Sequence, residues 1–314
     1  MSESMRTVLV TGCSSGIGHA SALHLAENGY HVLAGVRSAE QVERLNDLQL
    51  HGLEPMQLDV TDGDDINRAV EYAEQISPRG LCGLVNNAGM GLPAAVELST
   101  IDEVRQLLEV NTVAPLRMIQ GCLPLLRAGR GRVINMSSMN GTLAMPMVGA
   151  YSASKFALEA LSDTLRVELR PWQIPVVIIR PGQVRTSIFA KMRDGLEARS
   201  PDIPEELREG YDVMYARAGE FNERGAQSST TPEAVARVVR RALETKRPRT
   251  HYVVGIDAQG MQLAKSLVPQ RLLDRAFARV MHVLKPVKGL NGVSNANGAK
   301  EASVVETTVA SRQS

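Results

Sequence analysis

Short apolar, β-branched runs alternate along the chain with amphipathic stretches. Seven runs are predicted as strands: Thr7–Thr11, His31–Gly35, Pro55–Leu58, Gly83–Asn86, Arg132–Met136, Val176–Arg180 and Tyr252–Val254. The amphipathic stretches predict helices at Ile17–Asn28, Asp65–Ile76, Ile101–Leu126 and Ser152–Arg170. This alternation is typical of a parallel sheet that is covered by helices on both faces. We therefore predict a single α/β domain with a doubly wound, mostly parallel seven-stranded sheet.

Two later segments depart from the alternation. Ser187–Ser229 is a long insertion after the sixth predicted strand. In this insertion Leu207, Tyr211, Met214 and Ala218 recur at helical spacing and predict one apolar helix face. Thr231 and Pro232 then fit the N-cap and first position of a helix that continues to Glu244. The main domain is expected to span residues 5–257.

The C-terminal part of the chain changes character twice. Residues 258–287 predict amphipathic helices that restart at Pro269, and residues 288–314 are predicted to be disordered because they hold few large apolar side chains. The second helix has an apolar stripe opposite three arginines: Leu272, Leu273, Ala276, Phe277, Val280 and Leu284 against Arg271, Arg275 and Arg279. A stripe of this kind docks on its own domain or on a partner subunit. A membrane surface is the alternative.

Composition and charge exclude several classes of protein. The hydrophobic share of 44% supports a sizeable core, and the net charge of +1 argues against a nucleic-acid partner. Cys13, Cys82 and Cys122 lack CxxC spacing, so neither a disulfide framework nor a metal site is expected. The N-terminus lacks the apolar stretch of a signal peptide, and no apolar run has the length of a membrane span. We expect a cytoplasmic protein.

A glycine-rich turn, GCSSGIG, joins the first predicted strand to the first helix and contains Gly12, Gly16 and Gly18. Glycines at such a junction let a dinucleotide pyrophosphate approach the backbone, where the free N–H groups and dipole of the helix favour its charge. The spacing is GxxxGxG rather than GxGxxG, and a turn that is merely tight is the alternative. No Gly-Lys-Ser/Thr follows, which excludes a nucleoside-triphosphatase phosphate loop.

The end of the second predicted strand bears on the type of dinucleotide. A carboxylate there would hold the ribose 2′-hydroxyl of NAD and repel the 2′-phosphate of NADP. The first acidic residue is Glu40, whereas Arg37 can form charge-assisted bonds to a phosphate. The alternative is that Arg37 is a solvated surface charge. We predict NADP, with NAD possible.

Candidate catalytic side chains cluster in the middle of the chain. Tyr151 and Lys155 are four residues apart, which places them on one face of a helix. A neighbouring ammonium stabilises a phenolate, so Tyr151 could exchange a proton with a reacting oxygen. Ser138 follows the fifth predicted strand and could hydrogen-bond the same oxygen. Taken alone, Ser138 would be read as a turn serine.

These motifs together resemble the short-chain dehydrogenase/reductase family. The resemblance covers residues 5 to 255 and rests on TGCSSGIG at 11–18, NNAG at 86–89, Asn111, Ser138, YSASK at 151–155 and PGQVRT at 181–186. It implies a Rossmann-type fold. The segment 247–255 further resembles the subgroup that contains steroid and retinol dehydrogenases.

The resemblance implies a nicotinamide cofactor and a role for each matched residue. The turn residues that would border the pyrophosphate or lie beside it are Gly12, Ser14, Ser15, Gly16, Ile17 and Gly18. The adenosine side would be contacted by Asp59, Val60, Asn87 and Gly89, and the nicotinamide side by Pro181, Gly182, Val184 and Thr186. Ser15 stands where some NADP-binding relatives have a basic residue, so that second phosphate contact is missing.

The resemblance also implies a catalytic tetrad and a substrate lid. Tyr151 would be the acid/base, Ser138 its partner at the substrate oxygen, and Asn111 would hold a water that links Lys155 to solvent. Lys155 would also bind the nicotinamide ribose. Residues 187–229 would form the lid, and with Met145 they suit a bulky lipophilic substrate. The alternative is that the apolar lid residues only pack the lid onto the domain.

The function implied is NADP(H)-dependent interconversion of a carbonyl and an alcohol. An NAD-dependent secondary-alcohol dehydrogenase is the alternative among enzymes. A cofactor-binding regulator without turnover is the alternative from another class, and the complete tetrad argues against it. The expected partners are a small-molecule substrate and further copies of the chain in a homodimer or homotetramer.

Overall fold

A computed structural model describes residues 6–227 and 230–283 of the 314-residue chain. Its seven strands are β1 Arg6–Thr11, β2 Tyr30–Val36, β3 Leu53–Gln57, β4 Gly83–Asn86, β5 Val133–Met136, β6 Val176–Pro181 and β7 His251–Val254. They form one sheet in the order β3-β2-β1-β4-β5-β6-β7, and every pair is parallel. The predicted doubly wound, Rossmann-type sheet is confirmed, with strand ends within two residues of the predicted ones.

Helices cover both faces of the sheet. They are α1 Gly16–Glu27, α2 Ala39–Asn46, α3 Gly63–Ile76, α4 Ile101–Leu108, α5 Ala114–Ala128, α6 Gly149–Glu168, α7 Ile188–Arg199, α8 Glu205–Ala226, α9 Pro232–Glu244, α10 Ile256–Leu267 and α11 Gln270–Val280. Helix α2 was not predicted. Its N-cap is Ser38, whose hydroxyl accepts from the Gln41 N–H, and it has only eight residues and buries only Leu45, so the sequence offers few apolar positions to predict it.

The predicted single helix over Ile101–Leu126 is interrupted. A π-helical turn, Glu109–Val113, separates α4 from α5. The extra residue per turn changes the direction in which the following side chains point. Apolar periodicity continues through this turn, and for this reason the sequence pattern did not separate the two helices.

The alternation of side chains along β1 shows why the sheet is covered twice. Val8 and Val10 pack in the apolar cluster that α1 and α9 complete, whereas Leu9 packs in the cluster that α3 and α5 complete. Successive residues of a strand point to opposite faces, so a strand with both sets buried requires helices on both sides.

The topology fixes where a ligand can bind. The strand order reverses between β1 and β4, so the connections after these two strands diverge and leave a crevice. The carboxyl ends of parallel strands meet at one edge. The glycine-rich turn, Arg37, Ser138 and Pro181 therefore all lie at the edge where the crevice opens.

The insertion after β6 folds into two helices, α7 and α8, which pack against the rest of the domain. Leu196 and Tyr215 are buried in a third apolar cluster that includes Ala95, and the predicted stripe of α8 packs against this cluster. Tyr211 Oη also donates to Glu97 Oε2 at 2.5 Å. Much of the α8 stripe therefore serves packing, as the alternative interpretation proposed.

The predicted restart at Pro269 is confirmed, because α10 ends at Leu267 and α11 begins at Gln270. The apolar stripe of α11 is divided: Leu273 is buried, whereas Leu272 and Val280 are 50% and 57% exposed. Leu284 and residues 288–314 lie outside the described residues. Within the described ranges, none of the helices has the length and apolar character needed to cross a bilayer.

Candidate active site

A cavity of about 1390 Å³ lies at the carboxyl edge of the sheet and extends from the glycine-rich turn to helices α7 and α8, the segment predicted as a lid. It brings together nearly all of the predicted site residues. Those that line it are Gly12, Ser14, Ser15, Gly16, Ile17, Arg37, Asp59, Val60, Asn87, Gly89, Ser138, Met145, Tyr151, Lys155, Pro181, Gly182, Val184 and Thr186. Gly18 and Asn111 lie behind this lining.

The glycine-rich turn needs glycine for two separate reasons. Gly12 has φ +72°, and a Cβ there would lie 2.8 Å from the Ala88 Cα. A Cβ on Gly18 would lie 2.2 Å from the Gly12 carbonyl oxygen. The two glycines thus allow the turn to pack directly on the connection after β4. Helix α1 starts at Gly16, and the Ser15 side chain accepts no hydrogen bond from its first turn within residues 6–227. The first N–H groups are therefore free for an anion.

The connection after β4 is locked to the turn by hydrogen bonds. The Thr11 hydroxyl oxygen accepts from the backbone N–H groups of Asn87 and Ala88, both at 3.0 Å. Asn87 Nδ2 donates to the carbonyl oxygens of Thr11 at 3.0 Å and Gly12 at 3.2 Å. Asn87 is thus placed as a brace between the turn after β1 and the connection after β4.

Arg37 and Asp59 lie close to each other at the end of the cavity where β2 and β3 end. Burial would raise the pKa of Asp59, but hydrogen bonds from Thr61 and the charge of Arg37 outweigh it, so the pKa is lowered. Arg37 is exposed, and within the described ranges no ion pair of 4.0 Å or less joins it to another residue. Its guanidinium is accessible to an anion, although a carboxylate stands nearby.

Asn111 occupies the π-helical turn and is fully buried. Its Oδ1 accepts from the Met90 N–H at 2.9 Å, and its Nδ2 donates to the Met90 carbonyl oxygen and to Ser154 Oγ, both at 2.9 Å. A Cβ on Gly89 would lie 3.1 Å from Asn111 Oδ1 and 3.5 Å from Lys155 Nζ. Glycine at 89 therefore leaves these two polar atoms room beside the cavity. π-helical turns recur at functional sites.

Ser138, Tyr151 and Lys155 meet at the centre of the cavity. Ser138 follows β5, and Tyr151 and Lys155 occupy successive turns of α6. Lys155 Nζ donates to the Met136 carbonyl oxygen at 3.0 Å. Burial raises the pKa of Tyr151, and the hydrogen bond with the Ser138 side chain opposes this rise. The Tyr151 hydroxyl is thus in contact with Ser138, the residue predicted to bind the same substrate oxygen.

The charge on Lys155 is supported by Glu159, a carboxylate that the sequence analysis did not identify. Burial lowers the pKa of Lys155 to about 8, and the Glu159 carboxylate one turn later opposes this. Glu159 is itself buried and bound by Arg180, with Nε–Oε1 and Nη2–Oε2 distances of 2.9 and 2.7 Å. The pair joins α6 to β6. The four-residue spacing of Lys155 and Glu159 is the sequence signal that could have suggested that Glu159 supports the charge on Lys155.

The lid side of the cavity is apolar and rich in methionine. Eight of the thirteen methionines line the cavity: Met90, Met136, Met139, Met145, Met147, Met192, Met261 and Met281. Phe189, Phe221 and Phe277 line it as well. Met147 holds φ +66° while its side chain is buried, which is an uncommon conformation for a non-glycine residue. The sequence analysis had expected Met145, together with the lid residues 187–229, to border the substrate.

Comparison with known proteins finds many similar sequences. Residues 6–197 match the family model described as short chain dehydrogenase. The chain is 34% identical over 282 residues to short-chain dehydrogenase/reductase family 9C member 7 of Bos taurus, covering 87% of this chain and 89% of that protein. It is also 34% identical over 275 residues to human retinol dehydrogenase 16, covering 85% and 86%.

Solved structures agree on the fold. A short-chain dehydrogenase from Streptomyces avermitilis aligns with a TM-score of 0.71 and 30% identity, covering 91% of this chain and 100% of that one. A Burkholderia cenocepacia short chain dehydrogenase in complex with NADP aligns at 0.67 with 24% identity, covering 90% and 98%. A Burkholderia phymatum short chain dehydrogenase/reductase in complex with NAD aligns at 0.70 with 21% identity, covering 87% and 95%.

Proposed function

The chain belongs to the short-chain dehydrogenase/reductase family, and on this premise we propose that it is an NADP(H)-dependent oxidoreductase of bulky lipophilic carbonyls and alcohols. The family supports the oxidoreductase class, and the cofactor preference and the substrate are the proposal. The observation that carries it is the meeting of Ser138, Tyr151 and Lys155 in one cavity with the glycine-rich turn.

The residues present fit a nicotinamide dinucleotide. Gly12 and Gly18 bring the turn against the connection after β4, and the free N–H groups at the start of α1 face the same cavity. The cavity then continues to Pro181–Val184 and Tyr151, the end assigned to the nicotinamide. When bound, the cofactor supplies the hydride for carbonyl reduction or accepts it in alcohol oxidation.

The side chains of this site supply the proton and the orientation. In reduction, Tyr151 Oη donates its proton to the substrate oxygen as that oxygen becomes an alkoxide. The Ser138 hydroxyl donates a hydrogen bond to the same oxygen and stabilises the charge that develops there. The Lys155 ammonium then stabilises the tyrosinate that remains. In alcohol oxidation the tyrosinate accepts the proton instead.

Asn111 contributes indirectly. Its amide holds Met90 on one side and Ser154 on the other, so it joins the connection after β4 to the helix that carries Tyr151 and Lys155. We keep the prediction that a water beside Asn111 relays protons between Lys155 and solvent. The small Gly89 leaves space next to both side chains for such a water.

The preference for NADP rests on Arg37. It follows β2, lines the cavity and is accessible, so it can form charge-assisted bonds to the ribose 2′-phosphate. The opposing observation is Asp59, whose charge is close enough for Arg37 to lower its pKa. Asp59 therefore favours the second candidate, an NAD-dependent alcohol dehydrogenase.

The apolar lid side of the cavity favours a bulky lipophilic substrate. Methionine and phenylalanine are the main apolar side chains of the lining there, and Lys191, Asn140 and Asn222 are polar side chains among them. Methionine is flexible and polarisable, so it adapts to apolar ligands of different shape. The homodimer or homotetramer, the cytoplasmic location, a membrane contact of α11 and the domain limits at residues 5 and 257 stay predictions.

A fluorescence titration with NADPH and NADH at equal salt concentration tests the proposal. We expect NADPH to bind about tenfold more tightly or better, because a charge-assisted bond to a phosphate contributes at least 1.4 kcal/mol or so. The variant Arg37→Ala should remove this preference, whereas Arg44→Ala, an exposed arginine on α2, should preserve it. Equal or tighter binding of NADH would favour the NAD-dependent candidate.

A further inference from the structure

The structure assigns a positioning role to Asp257, a residue of α10 that lies beyond the 6–197 range matched by the family model. We infer that its carboxylate holds the loop after β6 in the place where that loop can border the nicotinamide. This inference rests on the proposed function, because it takes Pro181–Thr186 as the nicotinamide-side loop.

A short hydrogen bond joins Asp257 to this loop. The Gln183 backbone N–H donates to Asp257 Oδ2 at 2.6 Å. The preceding N–H, that of Gly182, donates to the Val254 carbonyl oxygen at 2.8 Å and continues the β6–β7 ladder. The ladder ends there, so the carboxylate is the group that binds the next backbone N–H of the loop.

The backbone leaves a volume that the carboxylate fills. A Cβ on Gly182 would lie 2.3 Å from both carboxylate oxygens of Asp257. A Cβ on Gly255, which holds φ +107°, would lie 2.4 Å from Asp257 Oδ1. Two glycines, one at the end of β6 and one at the end of β7, therefore admit the carboxylate between two adjacent strand ends. Any side chain at either position would displace it.

The position of Asp257 connects three parts of the cavity. It lines the cavity together with Gly182, Gln183 and Val184 of the loop. Its helix, α10, also contacts the short turn Met139–Gly141, which immediately follows Ser138. Helix α10 thus stands between the connection that carries the catalytic serine and the loop that borders the nicotinamide.

The same C-terminal segment forms part of the apolar wall. Met261 on α10, Phe277 on α11 and Met281 just after it all line the cavity. Asp257 is therefore the point at which the substrate-side wall is joined to the cofactor-side loop. A shift of α10 away from the sheet would move both surfaces together, and hydride transfer depends strongly on their relative position.

A purely structural role must be separated from this one. Asp257 is the second residue of α10, where a carboxylate also stabilises the helix dipole. Asp64 is the second residue of α3, is exposed and lies outside the cavity lining, so it is a matched control for the dipole effect alone. Asp257→Asn keeps an acceptor oxygen at nearly the same place, whereas Asp257→Ala removes it.

The first readout needs no cofactor. Hydrogen exchange of the Gln183 amide should be about tenfold faster or more in Asp257→Ala than in the wild-type protein, because the amide loses its bond to a charged acceptor. Asp257→Asn should restore most of the protection, and Asp64→Ala should leave it unchanged. An unchanged exchange rate of the Gln183 amide in Asp257→Ala would contradict the inference that Asp257 holds this loop.

The second readout measures the consequence for the site. Asp257→Ala should raise the NADPH dissociation constant and lower kcat by about tenfold each, with the pH profile unchanged and with Asp257→Asn close to wild type. If Asp257→Ala lowers only the thermal midpoint, as Asp64→Ala does, the positioning role is wrong. If the wild-type protein binds no nicotinamide cofactor, the proposed function fails, and the exchange experiment still decides whether Asp257 holds the loop.

Discussion

The ammonium nitrogen of Lys155 lies 5.9 Å from the centroid of the Tyr151 ring. Lys155 is buried and Tyr151 is partly buried, and burial acts on their pKa values in opposite directions. It raises the pKa of the phenol and lowers that of the ammonium to about 8. Burial therefore favours the uncharged form of each group, and the charge on Lys155 should change with pH around its pKa of about 8.

Carbonyl reduction should lose its rate as the pH rises through about 8. Reduction needs a protonated Tyr151 and a charged Lys155. Tyr151 stays protonated through neutral pH because its pKa is raised, and Lys155 is charged at any pH below its pKa of about 8. Deprotonation of Lys155 at a pKa of about 8 removes the charge that supports the tyrosinate. The pH profile of kcat/KM reports on the free enzyme and is the measurement to make. A profile that stays flat to roughly pH 10, the ordinary range of lysine, would contradict this.

The Glu159–Arg180 pair should be costly to break from one side. Its side chains are 8% and 11% exposed, so Glu159→Gln leaves a buried guanidinium without its counter-charge. We expect a loss of about 3–5 kcal/mol in the free energy of unfolding. Denaturant unfolding measures this.

The double variant Glu159→Leu with Arg180→Met removes both charges and should recover much of that stability. If the double variant has a lower free energy of unfolding than Glu159→Gln, the pair stabilises the fold by more than the mutual neutralisation of its two charges.

Gly12→Ala should abolish cofactor binding. A second glycine, Gly29, separates the effect of backbone strain from that of the clash with Ala88. Gly29 has φ +78° with open space around its Cβ position, so Gly29→Ala carries only the backbone strain of about 1–2 kcal/mol. Gly12→Ala carries similar strain and also forces the turn away from Ala88. NADPH titration should show binding in Gly29→Ala and none in Gly12→Ala. Equal binding would mean that the close approach of turn and β4 connection is unnecessary.

Tyr211→Phe should loosen the lid. The hydroxyl that donates to Glu97 joins α8 to the body of the domain, and its loss should raise the KM of a bulky substrate severalfold with little change in NADPH affinity. Tyr72→Phe is the matched control, because the Tyr72 hydroxyl also donates to a glutamate, Glu54, away from the cavity. Identical KM values in the two variants would show that the Tyr211–Glu97 hydrogen bond does not affect substrate binding.

The sequence was sufficient for the sheet and for most of the site because both rest on local patterns. Strand β1 could be predicted from its own apolar residues. The turn that contains Gly12 could be predicted from glycine spacing, and Tyr151 and Lys155 from helical periodicity. Each of these signals lies within a few residues, and elementary geometry converts it into a position.

The remaining features depend on contacts between distant segments. Asp257 meets Gln183 only because β6 and β7 are neighbours in the sheet, and Glu159 meets Arg180 because α6 packs against β6. The π-helical turn at Asn111 leaves the apolar periodicity of the surrounding helices intact. Sequence patterns carry no record of such register changes, so these features required the folded chain.

The most direct test of the proposed chemistry is a comparison of wild type and Tyr151→Phe, with NADPH binding and ketone-dependent NADPH oxidation measured on the same preparations. Phenylalanine keeps the ring and its packing and removes only the hydroxyl that donates the proton. We predict unchanged NADPH affinity and a loss of turnover of about 10² to 10⁴-fold, the usual contribution of a positioned general acid. Turnover within about threefold of wild type would contradict Tyr151 as the acid/base, because no lost proton donor leaves the rate so nearly intact.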